Sequence, residues 1–218
     1  MGRTWHQAQR RGGYHGASDE LNAEMDPRVK EFHCIMPIAN VSSVLEHGIL
    51  SYARAAALVH RSVAMLPVQD RRDKKCVPGG HMLHEYANLY FHARNPMMFA
   101  RQEEASRLCV LQVSLDVLKV RGVVLADRNA ASDWVRFLQP SQSALLDLDR
   151  IYAIDWRDPN RFTFYDKKQK KCAEVLVPAV VEPRFLVGAY VMDRAAAASL
   201  VALGFTLPVT IEPVLFFR

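Results

Sequence analysis

The sequence predicts a mixed α+β domain in which short strands and short helices interleave around one core. Three observations carry that reading. Apolar runs of strand length alternate with short segments of helical period. The spacing between them is too irregular for repeated βαβ units, which argues against a doubly wound parallel sheet. A chain of 218 residues that is 50% hydrophobic and 23% charged has the composition of one folded domain, not of a disordered, fibrous or coiled-coil protein.

The elements are expected in the following order. Residues 1–28 hold scattered glycine, arginine and histidine without apolar periodicity, so a flexible N-terminal arm is expected there, with the folded domain over residues 29–218. Phe32 to Met36 reads as a strand, and Asn40 to Gly48 as a helix with Val41, Val44 and Leu45 on one face and Gly48 as its left-handed stop. Ala53 to His60 suggests a second helix, and Pro67 to Gly80 an exposed loop rich in charge and turn formers. Leu89 to Phe91 resumes a strand. Asn95 then precedes Pro96 as a side-chain cap for a helix running to about Arg107. Strands follow within Leu108 to Val120 and at Val123 to Leu125, and residues 131–149 include a helix. The basic stretch Lys167 to Lys171 reads as a turn that leads into the strand Ala173 to Val177. Strand (Leu186 to Met192), alanine-rich helix (Arg194 to Leu203) and strand (Val209 to Phe217) close the chain.

Composition also bounds function. No apolar run approaches the roughly 20 residues that cross a bilayer, and Met1 to His6 lacks the apolar core of a secretory signal, so a cytoplasmic protein without membrane contact is expected. The four cysteines, Cys34, Cys76, Cys109 and Cys172, form no Cys-x-x-Cys pair and read as reduced thiols. Lysine and arginine outnumber aspartate and glutamate by 28 to 23. That excess suits a polyanionic partner, and equally a merely soluble basic surface.

The chemistry-bearing residues are few. There is no Gly-rich dinucleotide fingerprint, no phosphate-binding lysine loop and no serine elbow. His81, His84 and Glu85 do not have zinc-site spacing, and no metal is expected. Arg71, Arg72, Lys74 and Lys75 precede Gly79 and Gly80, a combination suited to phosphate or to plain solvation. Glu174 interrupts an apolar run, so it either points into a cleft or alternates outward. His33 stands alone in an apolar strand, where packing is the simplest role.

An ordered series then carries a resemblance: Phe32 and His33, Asn40, Gly48 to Leu50, His60 to Ala64, Gln69 to Arg72, Val77 to Gly80, Leu83 to Tyr86, Leu89 to Phe91, Ala93 to Met98, Asp127 and Arg128, Arg136 and Phe137, and Lys170 to Val177. It closely resembles the DarT family, bacterial toxins that ADP-ribosylate DNA bases, over roughly residues 30–180. The resemblance implies an ADP-ribosyltransferase-like fold, with a split mixed β-sheet and NAD+ as substrate in the cleft between its halves. It implies Arg71 and Glu174 as the catalytic pair, facing each other across that cleft. His33, Asn40, Gly48, His60, Arg61, Ser62 and Arg71 match cofactor-binding positions. Arg72, Lys74, Lys75, Asp127, Arg128, Lys170 and Lys171 are expected on the nucleic-acid-binding side. The implied partners are single-stranded DNA, modified on guanine or thymine, and a macrodomain antitoxin (DarG-like). Transfer to RNA or protein, and an inactive nucleic-acid-binding module, are the competing readings.

Overall fold

The computed structural model describes residues 25–218. Strand β1 (Phe32–Pro37) lies near the middle of an eight-stranded sheet of order β10-β9-β4-β1-β3-β7-β5-β6. On one side it pairs antiparallel with β4 (Leu108–Val113), which pairs antiparallel with β9 (Leu186–Val191). The edge strand β10 (Val209–Ile211) runs parallel to β9, so the sheet is mixed. On the other side come β3 (Tyr86–Tyr90), β7 (Glu174–Pro178), β5 (Val124–Ala126) and β6 (Phe137–Leu138), each antiparallel to its neighbour. A separate ribbon pairs β2 (Ile49–Leu50) with β8 (Val180–Val181).

The central strands read as almost unbroken apolar runs because both faces of the sheet are covered. Phe32, Leu89, Leu111, Val113 and Val175 enter the larger core, where Phe32 meets the edge of Phe91 at 5.2 Å between ring centroids. Ile35, Leu108 and Val110 face a second core with Met98 and Phe216.

One pairing is short, and it positions the site. Strands β1 and β4 share six register pairs and β3 and β7 share five, yet β1 and β3 share a single one, His33 with Tyr90. The sheet is therefore continuous at that point and splayed beyond it.

The helices follow their local signals where those signals are strong. Helix α1 (Val41–His47) ends at Gly48, whose φ is +80°. A Cβ there would lie 2.3 Å from the Val181 carbonyl oxygen, so glycine serves both the turn and the approach of β8. Helix α2 (Tyr52–Ala55) is a single turn, shorter than expected. Helix α3 (Leu66–Arg72) replaces much of the expected loop at 67–80. Pro67 at its start is a helix opener that the neighbouring charges disguise. Helix α4 (Pro96–Ala100) is capped by Asn95 as expected, but its continuation to Arg107 is a 3-10 turn. Within 131–149 the chain makes β6 and a 3-10 turn, and helix α5 (Leu148–Tyr152) begins only at the end.

The lysine-rich stretch is not a turn. It is the end of helix α6 (Arg161–Lys170), capped by the Asn160 side chain and laced by Lys167–Asp158 and Lys170–Asp166 ion pairs at 2.7 and 3.5 Å. Helix α7 (Arg194–Ala202) falls as expected behind its Asp193 cap, while the last expected strand stops at Ile211 and gives way to a 3-10 turn.

Of the expected N-terminal arm, residues 1–24 lie outside the described residues. Met25 is buried in the larger core, and Arg28 pairs with Asp26 and Asp149. Among the described residues no helix is long and apolar enough to cross a membrane.

Gly204 has a similar φ of +89° but open space where a Cβ would sit. Gly48→Ala should therefore cost about 1–3 kcal/mol more than Gly204→Ala in urea unfolding, the range for forcing atoms into a packed position.

Candidate active site

The opening between β1 and β3 is a cavity of about 460 Å³, within the range of small-molecule sites. Cys34 to Pro37 of β1 and Tyr86, Asn88 and Tyr90 of β3 line its floor, the last three being alternate residues of one strand face. Gly48, the segment from His60 to Met65, and α3 form its walls.

Glu174 opens β7 and sits opposite Tyr90 on one side and Ala126 on the other. It is 1% exposed. Its Oε2 accepts a hydrogen bond from Arg72 Nη1 at 2.9 Å, across 102 residues of sequence, and its Oε1 accepts from the Ala130 backbone N–H at 2.9 Å. Burying both charges is costly unless each is paired and hydrogen-bonded, and here both oxygens are served.

The guanidinium that faces Glu174 is thus that of Arg72, not of Arg71. Successive helical residues point about 100° apart. At the end of α3 this turns Arg72 into the core and leaves Arg71 exposed at the rim of the cavity. Arg72 is 5% exposed and unavailable to a surface strand of nucleic acid.

Around the pair the cavity is basic. Arg61, Arg71, Arg72 and Lys168 line it, against the single carboxylate of Glu174. Burial and the Glu174 charge push the Tyr90 phenol well above its usual range. Burial pushes the Cys34 and Cys172 thiols up to about 12, so neither lining cysteine is poised as a nucleophile.

The expected cofactor positions divide. Asn40, Gly48, His60, Arg61, Ser62 and Arg71 all line the cavity. Asn40 acts on its wall: its amide donates to the Arg61 carbonyl at 2.7 Å and accepts from the Arg61 N–H at 3.0 Å. Arg101 grips the same segment through the carbonyl of Val63 at 2.9 Å. His60 bonds the Leu58 carbonyl and Ser62 accepts from the Ala64 N–H. His33 does not reach the cavity. Its ring is buried against Glu31 at 3.1 Å, with Tyr190 and His92 beside it, because Glu31 also gathers Tyr190 and Gln112 into one network.

Most of the expected nucleic-acid contacts are likewise engaged elsewhere. Asp127 is buried and takes the backbone and side chain of Arg136, each at 2.9 Å, while Arg128 bridges Asp127 and Asp166. Lys171 is 1% exposed, and its ammonium donates to the carbonyls of Ile151 and Ala153 and bonds His92. Burial draws its pKa down to about 8. Lys170 is paired with Asp147 and Asp166, and Lys75 with the Ser132 carbonyl and Asp133. Lys74 remains exposed. His84 stacks on Tyr52 and bonds Gln69.

Sequence reasoning did not single out Asn88 or the Ala130 amide. The alternation of Tyr86, Asn88 and Tyr90 was a usable signal for the first, whereas a backbone donor leaves none.

A splayed mixed sheet whose opening is basic and holds one buried carboxylate has the charge and the room of a site for a small organic anion. The family model described as "ssDNA thymidine ADP-ribosyltransferase, DarT" matches residues 32–217, and the chain belongs to the DarT family. The "DNA ADP-ribosyl transferase-DNA ADP-ribosyl glycohydrolase fusion protein" of Thermosipho africanus is 30% identical over 207 residues, 88% of this chain and 51% of the relative. This chain therefore spans about half the length of that relative. A "DNA ADP-ribosyl transferase" of Thermus sp. is 30% identical over 163 residues, covering 69% of this chain and 76% of its own. Among solved structures, Thermosipho africanus DarTG in complex with ADP-ribose superposes with a TM-score of 0.75 at 29% identity, covering 86% of this chain and 51% of that one. Thermus sp. 2.9 DarT in complex with ADP-ribosylated ssDNA reaches 0.77 at 23% identity, covering 88% and 98%. The expected ADP-ribosyltransferase fold is the one observed.

Arg72→Met leaves the Glu174 charge buried and unpaired and should cost about 3–5 kcal/mol in chemical unfolding. Arg71→Ala should stay within about 0.5 kcal/mol of the parent.

Proposed function

We propose that this chain is an NAD+-dependent mono-ADP-ribosyltransferase that modifies a base in single-stranded DNA, with Glu174 as the catalytic carboxylate and Arg72 as its partner. The observation that carries the reading is the lone carboxylate, buried and held from both sides, in a cavity whose other charged lining residues are all cations. NAD+ has matching chemistry: two phosphate charges for the rim and a cationic nicotinamide ribosyl centre for the carboxylate. The exposed Arg71, together with Arg61 and Lys168, suits the diphosphate, arginine being well shaped for phosphate oxygens. NAD+ enters as a substrate, and Asn40, Gly48, His60 and Ser62 belong to the wall against which it lies.

As the bond between ribose C1′ and the nicotinamide nitrogen breaks, its electron pair goes to the departing nicotinamide and positive charge develops at C1′. An anionic group aimed at that charge lowers the barrier, as in glycoside cleavage. The acceptor nitrogen of the base then bonds to C1′ and loses its proton, for which Glu174 is the available base. Arg72 fixes the carboxylate and is not itself a base, since guanidinium stays charged.

A base stacked in a duplex cannot present a ring nitrogen to this opening, so the substrate is single-stranded or flipped out. The family description favours thymidine as the target. A relative fused to a DNA ADP-ribosyl glycohydrolase supports a macrodomain antitoxin (DarG-like) as the partner that answers the modification. The four unbridged cysteines fit a cytoplasmic setting, and residues 29–218 act as the transferase unit.

The test is mass spectrometry of nucleosides from single-stranded oligonucleotides incubated with the protein and NAD+, with RNA and a protein mixture in parallel. DNA should gain ADP-ribose. Glu174→Gln should lower transfer by about 10²–10⁴-fold, the range for loss of a general base. A gain of mass on RNA or protein alone contradicts the reading.

A further inference from the structure

We propose that Asn88 is a specificity-determining residue, the group that reads the acceptor base while Glu174 takes its proton. This rests on the function proposed above. Five side-chain amides line the cavity, those of Asn40, Gln69, Asn88, Asn129 and Gln169. Three are committed within the protein: Asn40 to the Arg61 backbone, Gln69 to His84, and Asn129 to the Ala131 N–H. Asn88 and Gln169 make no side-chain hydrogen bond among the described residues, and only Asn88 stands on the strand beside the carboxylate.

Its place there is fixed by register. Asn88 pairs with Leu176 and Tyr90 pairs with Glu174, so Asn88 and Glu174 are diagonal neighbours on one face of β3 and β7. Diagonal neighbours in an antiparallel pair lie about 7–8 Å apart. A single planar ring fits between two groups at that separation, with one edge presented to both. The residues before and after Asn88, Ala87 and Leu89, are buried in the apolar core, and the paired Leu176 is fully buried. An apolar side chain would suit such a strand, whereas Asn88 is a half-buried amide on the cavity floor whose side chain has no protein partner among the described residues, which leaves its donor and acceptor free for a ligand.

The chemistry of an imide base completes the match. In thymine the ring N–H is flanked by carbonyl oxygens. When that nitrogen bonds to C1′ and the nicotinamide leaves, the ring proton passes to Glu174, and the Asn88 NH2 donates to an adjoining carbonyl. Asn88 moves no proton. A strand laddered to β7 along its whole length holds such a reader in place more firmly than a loop does.

The experiment compares the parent chain with Asn88→Ala and Asn88→Asp, the latter keeping the shape and losing the NH2 donor. Transfer to thymine-containing single strands, NAD+ hydrolysis without DNA, and the thermal midpoint are measured for each. Both variants should lose roughly 10- to 100-fold in transfer, the cost of one hydrogen bond missing from a substrate built to receive it. NAD+ hydrolysis should stay within about twofold and the midpoint should hold, because Asn88 has no protein partner to lose. Two outcomes overturn the assignment: unchanged transfer in either variant, or transfer and hydrolysis falling together, which makes Asn88 a contact of NAD+ itself. A parent chain that modifies no base defeats the underlying function and this inference with it. An active parent with indifferent variants defeats only the role of Asn88.

Discussion

The site depends on one buried ion pair, Arg72 with Glu174, set where the sheet comes apart. Either charge alone at that depth would cost several kcal/mol, so each is tolerable only because the other is present. The pair thereby dictates much of its surroundings. Helix α3 must end facing β7, the backbone at Ala130 must bring its N–H to the second carboxylate oxygen, and β3 must supply the strand against which Glu174 is registered. Such an arrangement stabilises a fold no better than apolar packing would, and a buried charge pair opening on a cavity is the kind of feature that marks a candidate site.

The sheet supplies the space. Strands β1 and β3 meet at one pair of residues and part, while their outer neighbours hold them with full ladders. A cleft made this way has rigid sides, since each strand keeps one hydrogen-bonded partner. The wall from His60 to Met65 carries no regular structure of its own, yet it is tied at Arg61 by Asn40 and at Val63 by Arg101. Those two tethers make an irregular segment into a defined surface.

Much of this was legible in the amino-acid sequence. The mixed fold class followed from the irregular alternation of strand and helix, the stop at Gly48 and the cap at Asn95 followed from backbone rules, and Glu174 stood out as a charge inside an apolar run. What was not legible depends on direction or on distant partners. Arg71 and Arg72 are adjacent and chemically identical, and only the roll of α3 decides which one turns inward. Lys171 follows a run of surface charge but anchors on carbonyls about twenty residues away, so it reads as exposed and is buried. Asp127 likewise reads as a surface charge and is consumed by Arg136. His33 was misplaced by resemblance, whereas the plain expectation for a lone histidine in an apolar strand, that it packs, describes where it sits. Helix α6 buries none of its residues, and Phe162, Phe164 and Tyr165 do not line up on one face, so no apolar stripe announced it, and ion pairs brace it instead.

If Arg72 and Glu174 act as one unit, removing both should harm the reaction no more than removing one. The direct measurement is single-turnover transfer of ADP-ribose to single-stranded DNA by Arg72→Ala, Glu174→Ala and the double variant, each at a temperature where it is folded. The account predicts that the double variant is no slower than the slower single variant, within about threefold, as for residues that work through each other. Losses that multiply would contradict it, showing two groups that act independently.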